Sequence, residues 1–329
     1  MREPLPEVAM HTYRCTRFVV WLLGLIIGMS MPALAQDGAP APRPTLAERL
    51  GYGADAKLLI IHADDIGMAH AINRATLQAM SEGVVNSGSI MVPCPWFPEI
   101  AAYVRDHPGL DLGLHLTLTA EWKHYRWGPV LPASQVPTLL DSTGFLYATA
   151  EEAARHMDPR EAEAEIRAQV ERAIAFGVHP THLDSHMGTL FQTPELFGAY
   201  LRVGRDYGMP VFVPGGALRE QAPQLMALLP PDAIVIDHFA MASPEVPADD
   251  WEAYYAGIIE GLEPGITEII VHVAHGDAEM RAATVEHADF GAAWRQRDLD
   301  VVRSAAFRRL LEQHDVRLIT WREIGTLLK

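Results

Sequence analysis

The chain has 329 residues, with 26 lysines and arginines against 42 aspartates and glutamates and a formal charge of −16. So acidic a balance repels phosphate backbones and anionic lipid, which argues against nucleic acid as a partner. About 290 residues remain once a leader-like start is set aside, enough for one large α/β core.

At the start of the chain, Arg14 and Arg17 precede the apolar run from Phe18 to Ile27, and Pro32-Ala33-Leu34-Ala35 follows. This charged, apolar, small-residue order is that of a secretory signal over residues 1–35, with cleavage expected after Ala35. About 14 apolar-rich residues are short for a span of about 20, so no stable membrane anchor is expected after cleavage. Met10 is an alternative start. The segment carries Arg2, Arg14 and Arg17 against Glu3 and Glu7, so its removal takes the charge from −16 to −17. Cys15 lies inside it. Cys94 is then the one cysteine left, no internal disulfide is expected, and a periplasmic or secreted bacterial location follows. Cys94 reads as a small buried hydrophobe at a strand end.

Residues 36–50, rich in Pro, Ala and Gly, read as a linker, and 51–329 as one domain. Apolar runs predict strands at 58–64, 87–92, 110–118, 180–185, 210–213, 233–238 and 267–274, with a short last one near 316–320. Helical patterns at 70–82, 96–106, 159–176, 194–207, 217–229, 249–262 and 297–313 separate most of them. Seven or eight such repeats imply an α/β fold, a TIM-barrel-like (β/α) barrel of parallel strands with outer helices. Residues 120–158 lack periodicity but carry Trp122, Tyr125, Trp127, Phe145 and Tyr147, which either shape a cleft or pack on the barrel.

Several strands end in groups that do chemistry. The run Leu58-Leu59-Ile60-Ile61-His62-Ala63 stops at Asp64-Asp65-Ile66-Gly67. Buried carboxylates are costly unless paired or metal-bound, so one of the pair is expected to hold a cation and the other to move a proton. Gly113-Leu114-His115-Leu116 embeds a histidine in apolar residues. In Thr181-His182-Leu183-Asp184-Ser185-His186, a strand's period of two puts His182, Asp184 and His186 on one face. The run Ile269-Ile270-Val271 leads into His272, with His275 close behind. One carboxylate and two imidazoles suit a catalytic divalent metal with open positions. A spare aspartate and a spare histidine then serve as base and acid. The residue chemistry alone reads as a metal-dependent hydrolase.

The motifs at 62–67, 113–119 and 181–186 together resemble the YdjC/ChbG-like carbohydrate deacetylases, over residues 57 to 325. The resemblance implies a TIM-barrel-like fold and removal of acetyl groups from N-acetylated sugars, a hydrolysis of linear amide bonds. It further implies Asp64 as catalytic base, Asp65, His115 and His186 as metal ligands, and His272 as acid. Magnesium or zinc is the expected metal, with manganese, cobalt or nickel also compatible, and a small carbohydrate the expected partner. His62, Asp184, His182 and His275 are expected to line the pocket or orient ligands. Two departures stand out: Val273 follows His272 where the family often has proline, and Met187-Gly188-Thr189 follows His186 where many members have histidines. The alternatives are a hydrolase of another ester or amide, and a non-catalytic periplasmic sugar- or metal-binding protein.

Overall fold

Strand β1 (Lys57–Ile66) is buried from Leu58 to its end, because a run of aliphatic residues flanked on both edges by other strands has no solvated face. In the computed structural model, which describes residues 44–328, it pairs in parallel with β2 (Ser87–Ile90), with β6 (Gly265–Val271) and, at Leu58 and Leu59, with the two-residue β7 (Arg317–Leu318). Beyond β2 lie β3 (Leu112–Leu116) and β4 (Leu183–Ser185); beyond β6 lies β5 (His238–Met241). All these pairings are parallel.

The ring closes through short bridges. Leu183 pairs with Val211, and Pro214 with Ile236, the residue just before β5. Phe212 N donates to Leu183 O at 2.8 Å and Ile236 N to Val213 O at 3.0 Å. The expected strands at 210–213 and 233–238 are thus present as single bridges, and β5 falls later than the sequence indicates. Pro210 and Pro214 lack the N–H a longer ladder would need. The curled parallel sheet is therefore only weakly laced on this side, by these isolated bridges.

The outer layer comprises α1 (Leu46–Arg49), α2 (His70–Glu82), α3 (Phe97–Asp106), α4 (Ala150–His156), α5 (Pro159–Ala175), α6 (Pro194–Tyr207), α7 (Gly215–Gln221), α8 (Pro223–Met226), α9 (Trp251–Glu260), α10 (Ala278–Ala283), α11 (Ala292–Arg303), α12 (Ala305–Gln313) and α13 (Trp321–Ile324). Residues 70–82 and 194–207 are helical as the sequence indicates. Thr193 accepts from Leu196 N to start α6, and Gly208 ends it in the left-handed region at φ 65°. The stretch 217–229 instead breaks at Pro223, which cannot continue α7, and 297–313 breaks at Ser304, which leaves helical geometry to cap α12. The segment 1–35 lies outside the described residues. The linker expected over 36–50 ends early: Leu46 and Ala47 are buried against Leu58, Ile60 and Ile266, so packing begins at α1.

Candidate active site at the barrel mouth

The barrel axis is filled with polar groups. His182 is buried, stacks on Trp321 at 4.9 Å between ring centroids and takes its Nδ1 contact from Thr181 Oγ1 at 3.0 Å. Trp321 Nε1 donates to Glu268 Oε2 at 2.9 Å. Burial pushes the Glu268 carboxyl up to about 8, helped by Asp184 and Asp64 and opposed by His62. One layer nearer the mouth, His62 Nδ1 meets Ser87 Oγ at 3.0 Å. Its Nε2 lies 3.2 Å from Asp64 Oδ1 and 3.1 Å from Asp184 Oδ2. Burial alone would lower the His62 pKa, but the hydrogen bonds to Asp184 and Asp64 outweigh it and raise the ring to about 10. His62 is therefore a buried cation joining two carboxylates.

Above it sits the mouth. In a regular pleat Asp64 and Asp65 would face opposite ways. The pleat breaks at Asp65 itself, which takes φ 67°, and the register with β2 shifts between Ala63 and Ile66. Both carboxylates consequently reach the same space. Asp64 Oδ2 lies 3.7 Å from His115 Nε2 and 3.8 Å from His272 Nε2. Asp65 Oδ1 lies 3.4 Å from both His115 Nε2 and His186 Nδ1. That oxygen is buried and has no hydrogen-bond partner, while the other oxygen accepts from Arg295 Nη2 at 2.6 Å.

The two imidazoles are oriented from behind. His115 Nδ1 donates to Asp184 Oδ1 at 2.6 Å, which leaves Nε2 facing Asp65. His186 Nε2 meets Glu121 Oε2 at 3.1 Å, which leaves Nδ1 facing Asp65. A carboxylate can only accept, so each one fixes the nitrogen that carries hydrogen and presents the other inward. The donor atoms of Asp65, His115 and His186 lie within 4.8 Å of one another. An unpartnered buried carboxylate oxygen facing two oriented imidazole nitrogens is the donor set a divalent metal ion takes. The chain thus fits such an ion. His272 follows β6, its backbone N donating to Asp298 Oδ2 at 2.8 Å, and its ring packs on Phe290 at 4.9 Å. Burial lowers its pKa to about 4 against the pull of Asp65 and Asp64.

Asp64, Asp65, His115, Asp184, His186 and His272 thus come together. His62 lies beneath them and His182 deeper still, packed as a core ring. His275 is half-buried away from the cluster, its N donating to Ala71 O at 3.3 Å, whereas the His272 ring faces it. Cys94 is buried and free, and burial pushes its thiol well up, which leaves it inert. Of the aromatics in 120–158, Trp122 lines the cleft, Tyr147 stacks on His156 and Tyr125 donates to Met68 O.

Sequence reasoning missed Arg295, Glu121 and Asp298. Asp298 accepts from Trp251 Nε1 and Tyr255 Oη, both at 2.8 Å, while it holds the His272 backbone. A charged residue inside a helix or loop otherwise reads as a solvated face, and only the third dimension separates these three from it.

Fold and mouth define a (β/α)-barrel protein with a carboxylate–imidazole cluster suited to a divalent metal. The chain belongs to the YdjC-like protein family, whose model matches residues 58–313. It is 31% identical over 294 residues to a carbohydrate deacetylase of Thermus thermophilus, across 86% of this chain and 99% of the relative. A carbohydrate deacetylase of Brevibacillus brevis is 27% identical over 270 residues, across 81% and 99%. A solved structure of an Enterococcus faecalis protein shares the fold at a TM-score of 0.69 and 24% identity, covering 82% of this chain and 99% of that one.

Proposed function

We propose that this protein removes acetyl groups from N-acetylated amino sugars by metal-assisted hydrolysis, outside the cytoplasm. The observation that carries the reading is the unpartnered Asp65 Oδ1 facing His115 Nε2 and His186 Nδ1, with Asp64 and His272 on the same cleft. The names of its relatives as carbohydrate deacetylases support the substrate class, and the leader-like residues 1–35 support the location. Asp65, His115 and His186 would hold the metal; magnesium and zinc are the leading choices. Bound there, a divalent ion polarises the acetyl carbonyl and lowers the pKa of a water molecule.

The chain's own groups then handle the protons. Asp64 is anchored through Oδ1 to His62 and Ser89, so Oδ2 is the oxygen aimed into the cleft. It takes the proton of the attacking water as oxygen adds to the acetyl carbon. His272 is neutral at rest because it is buried, and its Nε2 lies 3.8 Å from Asp64 Oδ2. It receives that proton and delivers it to the nitrogen as the C–N bond breaks. Acetate and a free amino sugar leave. Asp184 and Glu121 keep the ligand imidazoles turned inward.

The test is acetate release by the protein from residue Gln36 onward on N-acetylated sugars, metal-stripped and metal-restored, beside Asp64→Asn. Metal-dependent release that falls by about 10²–10⁴-fold in the variant supports the reading. No release from either form, with one metal tightly bound, sinks it in favour of a binding protein.

A further inference from the structure

The cleft at the mouth encloses about 870 Å³ and has two unlike walls. One wall is the cluster just described, carried by β1, β3, β4 and the segments that follow β3, β4 and β6. The other is the weakly laced arc of the barrel. There Phe212 and Pro214 from the bridging segment, Phe239 and Met241 from β5, Leu218 from α7 and Phe191 after β4 all face the cleft. Between residues 212 and 241, Gln221 alone among the described lining residues carries a hydrogen-bonding side chain. Phe212 and Phe239 meet edge to face at 6.1 Å, and Phe239 remains 39% exposed.

A bare amino sugar matches this surface poorly. Its ring carries hydroxyls around nearly the whole rim, and each one pressed on such a wall loses water without a replacement partner. One aromatic face suffices for the C–H side of a pyranose, whereas this wall continues across aliphatic side chains. Large apolar surfaces left open inside a cleft mark where an apolar ligand group lies.

We infer that the substrate is an acylated amino sugar that bears an apolar group, a hydrocarbon chain or its equivalent, which lies along the Phe212–Phe239–Met241 wall while the scissile amide sits at the cluster. This inference rests on the deacylase reading of the same cleft. The apolar group has two possible points of attachment: the sugar itself, as an alkyl glycoside, or the carbonyl carbon, as an N-acyl chain longer than acetyl.

Two substrate series distinguish the attachments. One is methyl, butyl and octyl glycosides of N-acetylglucosamine; the other is glucosamine N-acylated with acetyl, butanoyl and hexanoyl groups. The holo protein is assayed for acid release, and binding is followed separately by fluorescence of the tryptophans, Trp122 lying on the cleft. The expected result is a rise in kcat/KM on the order of tenfold or more along one series, because each added methylene leaves water for the wall. Phe239→Ser is expected to flatten that rise, and Met241→Gln gives a second reading should the first variant fold poorly. A kcat/KM that is flat along both series overturns the inference and leaves the deacylase reading intact. Binding that tightens with chain length without any acid release supports the wall and overturns the deacylase reading instead.

Discussion

Arg295 Nη2 donates to Asp65 Oδ2 at 2.6 Å, and both side chains are almost wholly withdrawn from water. Residues 230 positions apart are thereby joined at the floor of the mouth. Arg295 Nε also donates to Phe290 O at 2.5 Å, so the same guanidinium holds the turn whose ring covers His272. Burial by itself would raise the Asp65 carboxyl, but Arg295, with His115 and His186, holds it well below the usual carboxylate range. Replacing Arg295 by Gln leaves that carboxylate buried and poorly paired, at a cost of about 3–5 kcal/mol. Denaturant unfolding of the metal-free protein at pH 7 checks this. A depressed carboxylate contributes fully above its unfolded value, about 3.8, and loses that contribution only as pH falls through its lower folded value, so the gap between wild type and Arg295→Gln should persist down to about pH 4 and narrow below it.

The two carboxylates behind the imidazoles give a prediction about metal rather than folding. Asp184→Asn and Glu121→Gln keep shape but introduce an amide that can donate as well as accept. The ring nitrogen behind each ligand is then no longer obliged to carry hydrogen. Metal affinity, measured by competition with a chelator, is expected to fall about 10–100-fold in each variant while the fold is retained. Unchanged affinity in Glu121→Gln would remove Glu121 from the orienting role.

Alkaline pH should weaken the protein from inside the barrel. His62 is raised to about 10 and Glu268 to about 8. Each therefore binds a proton in the folded state more tightly than in the unfolded chain. A raised folded value stabilises below the unfolded value and loses that contribution as pH climbs through the folded one. For Glu268 the window runs from about 4.5 to about 8, and for His62 from about 6.5 to about 10. The Tm of the metal-free protein should decline by several degrees between pH 6 and pH 10. His62→Gln should start lower at pH 6 and lose less on the way up.

How much of this was legible in the sequence depends on the distance over which a residue acts. The choice of His186 over His182 comes only from the family resemblance, whereas Asp64, His115 and His272 lie in or just after short apolar runs, and the ends of parallel strands share one mouth, so their convergence is foreseeable from pattern. The reversal at Asp65 is not, because neither composition nor spacing announces a φ of 67° at an aspartate. The split of 217–229 was signalled by Pro223. The collapse of 210–213 to a bridge was signalled in the same way by Pro210 and Pro214, whereas that of 233–238, with β5 starting later at His238, depends on how the two segments lie against each other. Glu121 and Arg295 escape a sequence reading for the same reason: their partners, His186 and Asp65, stand 65 and 230 positions away.

His182 shows how tightly the floor of the barrel is filled, and Gly113 is the position that tests it. A methyl group on Gly113 would lie 2.5 Å from His182 Cε1, well inside van der Waals contact. The ring cannot swing aside, since Trp321 stacks on one side at 4.9 Å and His62 meets it edge-on at 5.0 Å. Gly113 itself is paired in register with Ser89 on β2, so the backbone has little room to retreat. Gly113→Ala should therefore cost about 1–3 kcal/mol through overpacking. Gly109→Ala is the matched control, because a methyl group there meets nothing within 4 Å. Its stability should change by less than about 0.5 kcal/mol, as for an ordinary surface position. Combining Gly113→Ala with His182→Ala removes the collision, so the double variant should be more stable than the sum of the two losses allows. If the losses simply add, the ring is not what excludes the methyl group, and His182 does something other than fill the floor beneath His62.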